Sequence, residues 1–114
     1  MDVQALQHMI REFRDARDWM KFHNPKNLAI SIVLEASELL EHFQWKDMEE
    51  SADYSANAKD ELSDEIADIA VYLLELCDNL DIDLEAAIRG KLTKNAAKYP
   101  VEKAHGVATK YTKL

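Results

Sequence analysis

The sequence predicts an all-α protein, a four-helix bundle that is completed by oligomerisation. Three observations support this prediction. The 114 residues include only two glycines and two prolines, and residues that favour helices dominate the rest. Apolar residues recur at spacings of three and four along four separate segments. Hydrophobic residues make up 47% of the chain, which is sufficient for one packed domain over residues 1–114.

The first two predicted helices are separated by an Asn-Pro break. The first helix covers residues 3–22, with Asp2 available as its N-cap. Asn24 and Pro25 then suit the cap and the first position of a second helix over residues 26–43. This second helix is apolar on nearly every side, which predicts that it is buried.

The second half of the chain contains two further predicted helices. The polar and acidic stretch 44–57 is interpreted as a connection, and a helix over residues 58–80 follows it. A fourth helix covers residues 84–98, with Asp81 or Asp83 available as its N-cap, and the tail from about residue 101 is expected to be irregular. Because two helices of so small a chain are apolar on several sides, we expect self-association to cover them.

The charge balance limits the classes of partner. The formal net charge is −8, and a surface this acidic repels nucleic-acid backbones and anionic membranes. We therefore expect no nucleic-acid polymer and no membrane as partner, whereas a phosphate-bearing small molecule would need a cation. The lone Cys77, the absence of a signal pattern and the absence of a membrane-spanning apolar stretch predict a cytoplasmic location.

Four carboxylates on the two most apolar helices are the informative residues. Glu35 and Glu38 are three residues apart, as are Glu65 and Asp68, so each pair lies on one helix face. An unpaired carboxylate in an apolar interior is costly, and neither helix carries a lysine or arginine near these acids. The pattern therefore indicates a divalent cation with oxygen ligands, and Mg²⁺ is the usual ion where phosphates complete the shell.

Two other interpretations of the acidic residues remain open at this point. The four carboxylates would also suit a solvated seam of the bundle. A di-iron bundle needs two Glu-x-x-His units, and this chain has one, Glu102 to His105, outside the predicted bundle. The remaining acids near the two pairs are interpreted mainly as surface charges: Glu41, Asp60, Glu61, Asp64 and Glu75. Glu41 and Glu61, one turn from the pairs, could also join a second metal shell. The other histidines are interpreted as structural or surface residues: His8, His42 and His105.

At these residues the sequence resembles the all-α MazG-like nucleoside triphosphate pyrophosphatases, and within them the dCTP pyrophosphatases. Their Glu-x-x-Glu and Glu-x-x-Asp pattern matches Glu35-Ala-Ser-Glu38 and Glu65-Ile-Ala-Asp68. One departure is Leu34, where the commonest family pattern has an additional Glu. The likeness covers nearly the whole chain, because four further segments share it: residues 17–28, 43–46, 91–100 and 110–114.

The resemblance implies a Mg²⁺-dependent enzyme, with Mn²⁺ as a substitute, that converts a nucleoside triphosphate to the monophosphate and pyrophosphate. The implied substrate is dCTP or a modified dCTP, although the sequence leaves the base open. The implied assembly is a homodimer or a homotetramer with its sites at subunit contacts. The implied metal ligands and catalytic residues are Glu35, Glu38, Glu65 and Asp68. The implied substrate contacts are Trp19, His23 and Trp45 near the base or sugar, and Tyr72, Lys91 and Asn95 elsewhere in the pocket. The alternative is a non-catalytic helical dimer that binds nucleotides or proteins.

Overall fold

The computed structural model describes all of residues 1–114 and contains helices and turns but no strand. The predicted all-α class is therefore confirmed. None of the helices combines the length and the hydrophobicity needed to cross a membrane. Two short 3₁₀ turns, Met20–Phe22 and Tyr111–Lys113, accompany six α-helices: α1 (Val3–Ala16), α2 (Pro25–Glu41), α3 (Met48–Asn57), α4 (Lys59–Asn79), α5 (Leu84–Lys98) and α6 (Val101–Ala104).

Side-chain caps begin α1, α2 and α5 at residues that the sequence offers as caps. The Asp2 carboxylate accepts a hydrogen bond from the first turn of α1, and the Asn24 side chain does the same for α2. Pro25 occupies the first turn of α2, where its missing N–H costs nothing. Asp83 caps α5, whose bounds agree with the predicted helix over residues 84–98. These beginnings depend on local chemistry, which explains why the sequence predicts them.

The first helix is shorter than predicted. α1 ends at Ala16, and Asp18 adopts a left-handed backbone conformation with φ of 53° before the 3₁₀ turn Met20–Phe22 begins. The prediction of a continuous helix over residues 3–22 is therefore wrong. The apolar spacing continues from Ala16 to Met20, so the pattern does not reveal the break.

A helix also lies in the stretch that was predicted to be a connection. α3 begins with a capping box: the Asp47 carboxylate accepts from the Glu50 N–H at 2.8 Å, and the Glu50 carboxylate accepts from the Asp47 N–H at 3.4 Å. The interpretation of residues 44–57 as a connection is therefore wrong over Met48–Asn57. The capping-box residues Asp47 and Glu50 are a helix-start signal that is present in the sequence. The acidic composition of the stretch favoured a connection instead.

The chain forms two compact units, Met1–Asp81 and Ile82–Leu114. In the first unit α2 packs along α4, and α1 and α3 also pack against α4. The second unit contains α5 and α6, and within it the rings of Tyr99 and Tyr111 meet edge to face at 5.9 Å. A single domain over residues 1–114 stays a prediction. The buried apolar side chains all lie in the first unit: Leu28, Ala58, Leu62, Leu74 and Cys77.

α2 is much more exposed than its apolar sequence predicts. Leu28 is its only buried residue, at 1% exposure, whereas Val33 is 63% exposed and Leu40 is 68% exposed. The expectation that this helix is buried on nearly every side is therefore wrong for one copy of the chain. Ile30 and Leu34 are also exposed, so α2 presents an apolar surface that nothing else in the first unit covers.

Candidate functional site

The packing of α2 along α4 brings the predicted carboxylates together. Glu35 and Glu38 project from α2 and Glu65 from α4, and one carboxylate oxygen of each lies within 4.8 Å of the other two. Asp68 follows Glu65 by one turn of α4 but is not part of this group of three. Three carboxylates at this separation repel one another unless a proton or a cation lies between them.

The electrostatics of this cluster suit a divalent cation. Glu35 and Glu65 each have one carboxylate oxygen that is buried without a hydrogen-bond partner. Burial raises the pKa of Glu35, and the Glu38 carboxylate raises it further through its charge and a hydrogen bond. The charges of Asp68 and Glu65 act in the same direction, so Asp68 also lies near the cluster. Oxygen donors with unsatisfied negative charge are the ligands that hard divalent cations prefer.

His42 connects the carboxylates to α3. Its Nε2 lies 3.4 Å from a Glu65 oxygen, and its Nδ1 is hydrogen-bonded to the Tyr54 hydroxyl. The interpretation of His42 as a structural or surface residue therefore missed its contact with the site. His42 follows Glu38 by one turn, and this spacing could have predicted that the two side chains lie on the same side of the helix. Tyr54 gave no such signal, because it lies in the stretch predicted to be a connection.

A pocket of about 450 Å³ opens beside the carboxylates. Lys46 contributes the one ammonium group of its lining: its Nζ donates to the His42 carbonyl at 2.6 Å and lies 4.4 Å from the centre of the Tyr54 ring. The pocket therefore combines several carboxylates with a single cationic side chain. Its lining residues are Glu38, Glu41, His42, Lys46, Tyr54 and Glu65.

Three of the predicted substrate contacts form an aromatic group. The ring centres of Trp19 and His23 are 6.3 Å apart, and those of His23 and Tyr72 are 6.2 Å apart. Tyr72 lies one turn beyond Asp68 on α4. Burial raises the pKa of Tyr72, and the charge of Glu35 raises it further, so this ring lies beside the carboxylate cluster. The aromatic group and the cluster are therefore neighbours.

Glu75 is buried, which contradicts its interpretation as a surface charge. Its side chain is 2% exposed and accepts from Arg14 Nη1 at 3.3 Å, and one of its oxygens lies 2.7 Å from His23 Nδ1. Glu75 is a lone acid within the apolar run of α4, and this position indicates that its carboxylate needs a partner. The partner itself could not be predicted, because Arg14 is 61 residues away along the chain.

The other three predicted substrate contacts are outside the aromatic group. Trp45 is 92% exposed, with a left-handed backbone of φ 67°. Lys91 and Asn95 lie one turn apart on α5 in the second unit, where Lys91 is exposed and Asn95 is half-buried. Their roles at a nucleotide remain predictions from the family resemblance.

The packed helices α2 and α4 hold buried, unpaired carboxylates beside an aromatic group. These features define the class of protein: an all-α protein with an acidic site that suits a divalent cation. Comparison with known proteins identifies the family within this class. The sequence pattern of the MazG-like family matches residues 30–114, and the chain belongs to this family. This confirms the family resemblance predicted from the sequence.

The individual relatives that the chain resembles are pyrophosphatases. It is 38% identical to dCTP pyrophosphatase 1 of Bos taurus and 34% identical to dCTP pyrophosphatase 1 of Homo sapiens, in each case over 98% of this chain. The alignments cover 68% and 67% of these two relatives. The crystal structure of a pyrophosphatase from Archaeoglobus fulgidus DSM 4304 matches with a TM-score of 0.83 and 46% identity, covering 88% of this chain and 94% of that one.

Proposed function

We propose that the protein is a nucleoside triphosphate pyrophosphohydrolase that converts dCTP, or a modified dCTP, to the monophosphate and pyrophosphate. The observation that carries this proposal is the convergence of Glu35, Glu38 and Glu65 between two packed helices in a MazG-like chain. Relatives named dCTP pyrophosphatase 1, at 34–38% identity over nearly the whole chain, support the choice of dCTP.

The proposed cofactor is Mg²⁺, with Mn²⁺ as a substitute, held by Glu35, Glu38, Glu65 and Asp68. The unpartnered buried oxygens of Glu35 and Glu65 support this assignment, because a cation would satisfy both. When bound, the ion would neutralise charge on the triphosphate and on the leaving pyrophosphate. A chain with net charge −8 needs this contribution to attract a triphosphate at all.

The chain's own side chains would hold the nucleotide in place while water attacks its α-phosphorus. That attack breaks the bond between the α-phosphorus and the bridging oxygen, so dCMP and pyrophosphate are the products. The proposed base or sugar contacts are the aromatic residues, because rings offer stacking surfaces to bases. They are Trp19, His23 and Trp45, and Tyr72 is proposed to line the rest of the pocket. Lys91 is proposed to contact a phosphate as a point charge and Asn95 to hydrogen-bond the base or sugar.

The assembly proposed for this enzyme is a homodimer or a homotetramer. The support is the exposed apolar surface of α2, where Val33 and Leu40 are each more than 60% exposed. A second copy of the chain would remove these side chains from water, which is favourable in proportion to the apolar area covered.

The direct test incubates the purified protein with Mg²⁺ and each common deoxy- and ribonucleoside triphosphate, followed by separation of the products. We expect dCMP and pyrophosphate, formed fastest from dCTP, with no turnover in EDTA. If a monophosphate and pyrophosphate form fastest from a different triphosphate, the proposed substrate changes and the proposed reaction stands. Diphosphate and phosphate as products, or dCTP binding without turnover of any standard or modified triphosphate, would contradict the proposal. The second result would favour the non-catalytic nucleotide-binding protein.

The carboxylates have a variant test of their own. Glu65→Gln and Asp68→Asn should each lower turnover by several orders of magnitude with the fold intact, because an amide is neutral and a poor ligand for Mg²⁺. Initial rates at saturating Mg²⁺ and circular dichroism would be measured for both variants. Asp64→Asn, next to Glu65 but exposed and outside the cluster, is the matched control. Wild-type activity in Glu65→Gln would refute the metal site.

A further inference from the structure

Glu75 is the most buried charged side chain of the protein and lies at the centre of a polar network. It is 2% exposed, on α4, and its Oε1 is shared by two groups: His23 Nδ1 at 2.7 Å and Arg14 Nη1 at 3.3 Å. Arg14, on α1, is itself 6% exposed. A buried carboxylate is tolerated where such partners compensate for its lost hydration, so His23 and Arg14 account for the burial of Glu75.

The same network also holds the backbone of His23. Arg14 Nη1 donates to the Asn79 side-chain oxygen at 3.2 Å, and the Asn79 amide donates to the His23 carbonyl at 3.4 Å. His23 follows the 3₁₀ turn Met20–Phe22 and lies outside any α-helix, where its N–H donates to the Met20 carbonyl at 2.9 Å. Its ring and its carbonyl are therefore both held by residues of α4.

The His23 ring joins this network to the proposed nucleotide pocket. It lies between Trp19 and Tyr72, with ring centres 6.3 and 6.2 Å away. Tyr72 is one turn before Glu75 on α4 and borders the carboxylate cluster through Glu35. A change in the orientation of His23 would therefore change the aromatic surface that lies beside the carboxylates.

We propose that Glu75, paired with Arg14, is a positioning residue that fixes the His23 ring against Trp19 and Tyr72 and so shapes the nucleotide pocket. Glu75 accepts from His23 Nδ1–H, which leaves Nε2 as the ring nitrogen that can face a ligand. It acts through His23 and does not touch the nucleotide. This inference rests on the proposed function, because that function supplies the nucleotide.

The first test separates binding from turnover. Glu75→Ala removes the acceptor, and we expect KM for dCTP to rise by at least about tenfold, the effect of one hydrogen bond to a charged group. We expect kcat to change by no more than about twofold, because the residue supports binding and not the chemical step. Glu75→Gln retains an oxygen acceptor and should restore KM to within about threefold of wild type.

A second variant tests whether misfolding alone explains a raised KM. Glu75→Ala leaves Arg14 buried with one partner fewer, so the pair is also replaced together as Arg14→Met with Glu75→Leu. Apolar residues of similar volume often replace a buried ion pair without loss of stability. We expect this double variant to melt at or above the wild-type temperature and still to show the raised KM, since His23 has lost its acceptor.

The matched control is the ion pair between Arg11 and Asp78. It joins the same two helices, α1 and α4, with a distance of 2.7 Å, and does not contact His23. Asp78→Ala should therefore leave KM for dCTP unchanged. A similar rise of KM in this variant would show that helix packing, and not the orientation of His23, controls binding, and would overturn the proposal.

A third readout does not depend on catalysis. Ring ¹⁵N resonances of His23, measured by NMR, should show a protonated Nδ1 in the wild type and a change of tautomer or line shape in Glu75→Ala. If the wild type hydrolyses no nucleotide, the proposed function fails, and the His23 resonances still test whether Glu75 positions the ring. Unchanged resonances, or an unchanged KM in the folded double variant, would refute the positioning role.

Discussion

Glu35 has a property that its place in the sequence does not reveal. It occurs in an ordinary helical Glu-x-x-Glu pair, yet one of its oxygens is buried without a partner, and three other carboxylates act on it. The carboxylate of a glutamate on a helix surface would instead be hydrated. The environment that α4 supplies therefore makes this side chain a candidate ligand.

The pH dependence of stability should report this environment. Because the pKa of Glu35 is raised above its ordinary 4.5, the folded state binds more protons than the unfolded state just above that pH. The free energy of unfolding of the metal-free protein should therefore fall as the pH rises from 4.5 through the folded-state pKa. Melting temperatures measured in EDTA would follow this fall.

Glu35→Gln is the control for this prediction. The amide does not titrate, so its melting temperature in EDTA should change less between about pH 4.5 and pH 7.5 than that of the wild type. Mg²⁺ at the higher pH should stabilise the wild type and have a smaller effect on the variant, because a cation that binds only the folded state adds stability. Identical pH profiles of the two proteins would contradict the predicted environment.

At the scale of elements, the pair α2 and α4 holds the site. Leu28 is the buried residue of α2 at 1% exposure, about two turns before Glu35, and Leu62 and Leu74 are buried residues of α4. The carboxylates can converge because α2 packs along α4. The position of the acids therefore depends on the packing of their neighbours.

A truncation in this contact should be costly. Leu28→Ala is expected to lower the free energy of unfolding by about 2–5 kcal/mol, because it leaves a cavity where a buried leucine was. Urea unfolding followed by circular dichroism would measure this loss. The control is Leu92→Ala, which truncates a leucine that is 62% exposed and should cost at most about 0.5 kcal/mol. Equal losses in both variants would argue against the described core.

At the scale of the whole molecule, the exposed surface of α2 is the main feature. Val33 and Leu40 are 63% and 68% exposed, and Ile30 and Leu34 are exposed beside them. A soluble monomer rarely leaves so contiguous an apolar surface in contact with water. The proposed homodimer or homotetramer accounts for this surface.

Charge placed on that surface should weaken the assembly. Val33→Glu is expected to shift the protein toward monomer, because an interface would have to bury an unpaired carboxylate. Light scattering coupled to size exclusion would measure the mass of each species. Lys59→Glu, an exposed site at the start of α4, is the control and should leave the mass unchanged. A wild-type chain that is monomeric at high concentration would refute the proposed assembly.

The sequence by itself determined the features that depend on near neighbours. Helix class follows from composition and apolar spacing, the caps at Asp2 and Asn24 follow from local hydrogen bonding, and the two acid pairs follow from a three-residue spacing. All of these act over one turn of helix, so a linear pattern contains them. The family resemblance rests on the same local motifs.

Only the tertiary structure decided the features that depend on distant residues. The end of α1, the contact of His42 with Glu65 and the burial of Glu75 all differ from what the sequence suggested. Glu75 became an internal residue because Arg14, 61 residues away, supplies the positive charge that its own helix lacks. Burial and ionic pairing are set by which elements pack together, and no spacing along the chain records that choice.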